Sequence, residues 1–223
     1  MKYILPALTL FLSASAYAEE RPLPWGGATS SQTEQQTRLG DVQKEQILTQ
    51  VEAYLNGLTT IQADFVQIAP GGNLSTGKFF LKRPGKMRWQ YDPPVPVLLI
   101  SNGSVFTYYD YELQQVNEIP LDSTLAGFIA QKNIRFDPEV ITVKEILEAN
   151  KVIRIRIVQT DHPKDGDLTM ELTDSPMQLR NLIIKDSKGE STNVSLNGAR
   201  YGVPLEDKLF QFKNPNFFNK KKH

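Results

Sequence analysis

Between Lys78 and Pro94 the chain reads KFFLKRPGKMRWQYDPP, and this run constrains the fold more than any other. Read in period two, Phe79, Leu81 and Arg83 fall on one face and Lys78 and Lys82 on the other, with Phe80 as the exception. Pro84-Gly85 turns the chain, after which Met87, Trp89 and Tyr91 alternate with Lys86, Arg88 and Gln90. Two antiparallel strands built this way present one apolar face and one basic face. Arg83 breaks the pattern. By parity it shares the apolar face, where an arginine needs a dense set of acceptors or stays unpaired at a cost of several kcal/mol.

The segments on either side supply more of the same sheet. Ile61 to Ile68 places Ile61, Ala63 and Phe65 on one face, and Pro70-Gly71-Gly72-Asn73 turns into Leu74 to Arg83. Asp92-Pro93-Pro94-Val95-Pro96 is a rigid connector in which helix and central strand are both disfavoured. Val97 to Ser101 and Ser104 to Tyr109, joined by Asn102-Gly103, form the strongest short hairpin signal, and Leu113 to Ile119 adds a strand. Further strands follow at Val140 to Ile146, Ile153 to Ile157, Leu168 to Leu172, Leu179 to Lys185 and Thr192 to Leu196. Roughly ten or eleven strands with short links predict a largely antiparallel sheet.

Two segments read as helices. From Asp41, a candidate cap, Ile47, Leu48, Val51, Tyr54, Leu55 and Leu58 recur on one helical stripe, with Gly57 near the end. Leu121 to Gln131 is shorter, with Leu125, Phe128 and Ile129 on one face behind an Asp122 or Ser123 cap. At that length it is marginal alone, and Gly127 weakens it by about 1 kcal/mol relative to alanine. Such a helix inserted in a sheet serves as a lid or as a plain core helix, and the residues leave both readings open.

Residues 1–18 combine Lys2, an apolar run from Tyr3 to Leu12 and Ala16-Tyr17-Ala18, the pattern of a secretory signal cleaved after Ala18; an amphipathic anchor is the alternative. Residues 19–40, rich in Pro, Gly, Ser, Thr and Gln, read as a flexible arm in which Trp25 is either an anchor or an ordinary linker aromatic. Residues 41–218 form the expected single domain, and 219–223 a basic tail. There are no cysteines, which excludes disulfides, thiol catalysis and the lipid-modified cysteine of an anchored lipoprotein. Loss of Lys2 with the signal leaves 24 basic and 25 acidic residues, a balance that argues against nucleic acid as a partner.

Catalytic sets are missing. The only histidines are His162 and His223, and there is no Gly-x-Ser-x-Gly elbow, His-Glu-x-x-His or phosphate loop. Asp161, His162, Asp165 and Asp167 fit no calcium loop and read as a hydrated hairpin turn. No metal, cofactor or catalytic residue is expected, and the chain is expected not to be an enzyme. A curved sheet with two helices on its apolar side is either a filled structural core or a ligand cavity with a door. Arg83 bears on that choice: at the rim it could bond lid carbonyls, or it could reach solvent with its stem packed.

The stretch GKFFLKRPGKMRWQYDPP, followed by LLISNGSVFTYYDYELQQV, resembles the outer-membrane lipoprotein carriers of the LolA family. So do LTTIQADFVQ after the first helix and the closing LIIKDSKGESTNVSLNGARYGVPLEDKLFQF, and together the resemblance runs from about Val42 to Phe212. It implies a mainly β fold with α elements: an incomplete, half-open antiparallel β-barrel closed by a long N-terminal helix and a short lid helix. It implies a periplasmic monomer that takes triacylated lipoproteins from an inner-membrane ABC transporter and passes them to an outer-membrane receptor. Arg83 stands at the family's latch position. Phe65, Phe79, Leu81, Met87, Trp89, Tyr91, Leu99 and Phe106 would line the apolar cavity, and Leu121, Leu125, Phe128 and Ile129 would belong to the lid. The alternative is a carrier or sensor of another lipid or hydrophobic ligand on the same fold.

Overall fold

The computed structural model describes residues 40–213. The expected signal segment, nearly all of the arm, the basic tail and the end of the expected domain lie outside the described residues.

Helix α1, Asp41–Gly57, forms on the predicted stripe: Ile47, Val51 and Leu55 are buried, with Leu48 and Tyr54 packed beside them. Its cap differs from the expectation. Gly40, not Asp41, occupies the capping position, and its N–H donates to Gln43 Oε1 at 3.0 Å, so the first turn closes on itself. Asp41 is the first helical residue and pairs with Lys44 at 3.2 Å.

The eleven strands are β1 (Thr60–Ile68), β2 (Leu74–Lys82), β3 (Lys86–Tyr91), β4 (Val97–Asn102), β5 (Val105–Asp110), β6 (Gln115–Pro120), β7 (Ile141–Ala149), β8 (Val152–Gln159), β9 (Gly166–Asp174), β10 (Met177–Asp186) and β11 (Ser191–Tyr201). They form one antiparallel sheet in the order β6-β5-β4-β3-β2-β1-β11-β10-β9-β8-β7. The first strand pairs with the last, while β6 and β7 are the two edges, so the sheet is not closed on itself. The chain between those edges, residues 121–140, carries the second helical segment. Bulges at Gln62 to Asp64, Val143 to Glu145 and Leu179 to Asn181 shift the register and bend their strands.

Alternation sets the inner face. Phe79 pairs with Trp89 and Leu81 with Met87, as the period-two reading of the opening stretch requires. Inward residues from both halves of the sheet, α1 and the 121–134 segment form one apolar cluster. A second, smaller cluster lies on the outer face, where Leu98, Ile100 and Tyr109 meet Val116 and Phe212. It exists because β4 is apolar on both faces, and the segment after β11 covers it: Asp207–Phe210 is a 3-10 turn with Phe210 buried, and Phe212 packs against the cluster. Phe80, the exception in the alternation, is also outward and buried.

Candidate functional site

The inner face of β1 to β5 carries the predicted apolar set. Phe65, Phe79, Leu81, Met87, Trp89 and Phe106 are buried, and Tyr91 and Leu99 are half-buried against the same cluster. The aromatic rings interlock: Phe65 meets Trp89 edge-on at 5.2 Å and Tyr91 at 5.0 Å, and Phe79 lies 4.1 Å from Trp89. Tyr91 ends this face in a polar contact, its hydroxyl donating to Gln67 Oε1 at 2.7 Å, and burial raises its pKa.

Leu121, Phe128, Ile129, Ala130 and Ile134 from the edge-to-edge connection and Ile47, Val51 and Leu55 from α1 join these residues in one apolar cluster. A pocket of about 380 Å³ lies on the outer face, between Ile100 and Thr107 and the segment Phe210 to Lys213. Another of about 540 Å³ lies along α1 beside Val42, Gln46 and Thr49.

The segment expected as a single helix from Leu121 to Gln131 is broken into a 3-10 turn, Leu121–Ser123, and one helical turn, α2, Leu125–Phe128. Thr124, rather than Asp122 or Ser123, caps α2: its Oγ1 accepts from Gly127 N–H at 3.0 Å and donates to the Leu121 carbonyl at 2.8 Å. Gly127 looked like a weakness in the helix. A Cβ there would stand 2.2 Å from the Leu121 carbonyl oxygen, so the glycine is what lets α2 fold back onto the preceding turn. Leu125 is half-buried against the cluster, and Phe128 lies 5.5 Å from Phe136.

Arg83 leaves the end of β2 and turns inward. Its Nε and Nη2 both donate to the Gln131 carbonyl, at 2.9 and 2.6 Å, and Nη2 also reaches the Lys132 carbonyl at 3.1 Å. Nη1 donates to the carbonyls of Leu55 and Leu58, and Nη2 to Asn56 Oδ1 at 3.1 Å. The guanidinium thus adds a donor to the Leu55 carbonyl, which also accepts from Leu58 N–H at 3.2 Å, and serves the cap carbonyl of Leu58, at the end of the helix where positive charge is favoured. Partial burial lowers its pKa from the usual arginine value without threatening its charge. The backbone joins in: Arg83 N–H donates to Thr59 O at 2.9 Å and Gly85 N–H to Ala130 O at 2.7 Å.

Two residues that the sequence reading passed over hold the far side of this junction. The Asn56 amide donates to Ile134 O at 2.8 Å and accepts from Ile134 N–H at 2.9 Å, and Glu52 Oε1 accepts from Phe136 N–H at 2.6 Å. Both stand one helical turn apart beside the apolar stripe of α1, a spacing that marked a shared face but named no partner.

The basic outer face also finds its partner. Asp207 Oδ1 accepts from Lys82 at 2.7 Å and Lys86 at 2.9 Å, Lys82 reaches Leu205 O at 2.8 Å, and Arg88 donates to Leu209 O at 3.2 Å. The segment from Leu205 to Leu209 is therefore strapped across β2 and β3. His162 is exposed in its turn, and among the described residues no cluster of three metal-ligating side chains occurs.

The family match begins near the end of α1 and takes in the whole sheet. The family model described as outer membrane lipoprotein carrier protein LolA matches residues 56–213. An uncharacterized protein of Rickettsia prowazekii is 25% identical, over 77% of this chain and 79% of its own. An outer-membrane lipoprotein carrier protein of Methylococcus capsulatus is 28% identical, over 86% of this chain and 90% of its own. The crystal structure of a LolA superfamily protein from Nitrosomonas europaea covers 74% of this chain and 97% of its own, at 11% identity and a TM-score of 0.45.

Proposed function

The chain belongs to the outer membrane lipoprotein carrier protein LolA family, and on that premise we propose that it is a periplasmic carrier whose apolar interior takes up the acyl chains of lipoproteins. One observation carries the reading: the Arg83 guanidinium ties the β2–β3 turn to α1 and to the segment at Gln131 and Lys132, over an interior that this segment's own apolar residues occupy. Cargo enters by displacing Leu121, Phe128 and Ile129, and Arg83 is the latch that opposes it. Each buried methylene is worth about 0.8 kcal/mol, so one acyl chain holds to a membrane with on the order of 10 kcal/mol. A carrier has to match that affinity and still release. A closed empty state lowers net affinity by the cost of opening, which makes onward transfer feasible.

The protein would receive triacylated lipoproteins from an inner-membrane ABC transporter and hand them to an outer-membrane receptor, without catalysis and as a monomer. The test is purification of the mature protein from the periplasm of cells expressing a tagged lipoprotein, wild type beside Arg83→Leu, with mass spectrometry of what co-elutes. Triacylated lipoprotein in a one-to-one complex, enriched in the variant, supports both carrier and latch. Free lipid alone moves the function to a general lipid carrier or sensor, and empty protein in both samples sinks the cargo assignment.

A further inference from the structure

Lys82 and Lys86 are directly opposed across the β2–β3 hairpin, one residue before Arg83 and one after Gly85. Two ammonium groups facing each other on neighbouring strands repel and splay the strand ends. Asp207 lies against both, with one oxygen shared between them. The segment that presents it is fixed on either side: Thr60 Oγ1 donates to Val203 O at 2.7 Å, Lys82 to Leu205 O, and Arg88 to Leu209 O, while Phe210 is buried. The same short turn is therefore held from outside by an anchored carboxylate and reaches inside with the guanidinium.

We propose that Asp207 is a positioning residue for the Arg83 latch, drawing the two lysines together so that the turn between them aims Arg83 at Leu55, Gln131 and Lys132. The inference rests on the latch role proposed above. It gives the carboxy-terminal strap a task beyond covering apolar surface, because the state of the outer face then sets how tightly the inner segment is held.

Hydrogen exchange of the 127–131 amides reads this directly in the full mature protein. The series is wild type, Asp207→Asn, Asp207→Glu, Lys86→Gln, Arg83→Leu and the double variant Asp207→Asn with Arg83→Leu, at low salt and in 1 M KCl. Asp207→Asn should speed exchange there roughly threefold at low salt, Lys86→Gln, which removes the repulsion along with one ion pair, should speed it less, Asp207→Glu should restore the wild-type rate, and 1 M KCl should bring wild type and Asp207→Asn together, because it screens the lysine–carboxylate attraction in one and the lysine–lysine repulsion in the other. Asp207→Asn should add nothing once Arg83 is leucine. Faster exchange only at Leu209 and Gln211, with 127–131 unaltered, would show that Asp207 merely fastens the strap. If Arg83→Leu itself leaves 127–131 unchanged, the latch reading falls and takes this inference with it; if Arg83→Leu has its effect and Asp207→Asn has none, only the inference falls.

Discussion

Gly85 donates its backbone N–H to the carbonyl of Ala130 at 2.7 Å, so the turn that carries the Arg83 guanidinium also touches the segment it grips through the main chain. Gly85 has φ +74°, and a Cβ on it would lie 2.6 Å from Gly103 Cα, where the β4–β5 turn packs against it. Position, conformation and contact all exclude a side chain here.

Gly85→Ala is expected to cost about 1–2 kcal/mol from the left-handed backbone alone, with the Gly103 contact adding to it. Differential scanning calorimetry should show a midpoint lowered by roughly 5 °C. A midpoint unchanged within error would mean the turn relaxes without strain.

Asn56→Ala removes both bonds to Ile134 and one to Arg83. The Ile134 amide and carbonyl then have to find other partners, and the loss should be about 1–3 kcal/mol. Hydrogen exchange at Ile134 and Phe136 should accelerate, while the β9–β10 amides stay protected. Uniform acceleration over the sheet would indicate that α1 itself had melted.

Phe128→Ala separates filling from binding. Phe128 is 1% exposed inside the cluster, so truncation should lower stability by about 3–5 kcal/mol. Because the same ring has to leave before an alkyl chain can enter, the variant should bind a fluorescent sixteen-carbon fatty acid about tenfold more tightly. Weaker binding by a folded variant would mean that Phe128 contacts the chain instead of competing with it.

The pH dependence follows from Asp207. Its two lysines hold the carboxyl at about 2, below the ordinary 3.8, so the folded state prefers the ionised form. That stabilisation is present above the unfolded value and is lost as pH falls through the folded one. The difference in thermal midpoint between wild type and Asp207→Asn should be constant from pH 5 to 7 and shrink between about pH 4 and 2. A difference that changes near neutral pH would implicate another group.

Much of the sheet was legible in the chain because strand burial is written in period two: Phe79, Leu81, Met87 and Trp89 face inward as their spacing requires. The stripe of α1 was equally plain. The capping residue was not, since a glycine supplies no side chain to recognise and Gln43 does the work from three residues on. The helix at 121–131 was overdrawn for a related reason: Leu125, Phe128 and Ile129 keep helical spacing, yet Thr124 and Gly127 bend the backbone onto Leu121 after a single turn. Phe80 looked like an error in the alternation, and becomes an outward buried residue only once a strap crosses that face.

The sequence by itself determined the order of strands and helical segments, the shared face of Phe79, Leu81, Met87 and Trp89, and the anomaly of one arginine on an apolar face, because these depend on neighbours within a few residues. What meets what was decided only by the tertiary structure. Arg83 binds Gln131 across 48 residues, Asn56 binds Ile134 across 78, and Asp207 answers Lys82 across 125. Partners at such distances leave no local period to read. They are chosen by the folding of α1, the 121–140 connection and the 203–210 segment against the sheet, which brings these carbonyls and charges to the groups that satisfy them.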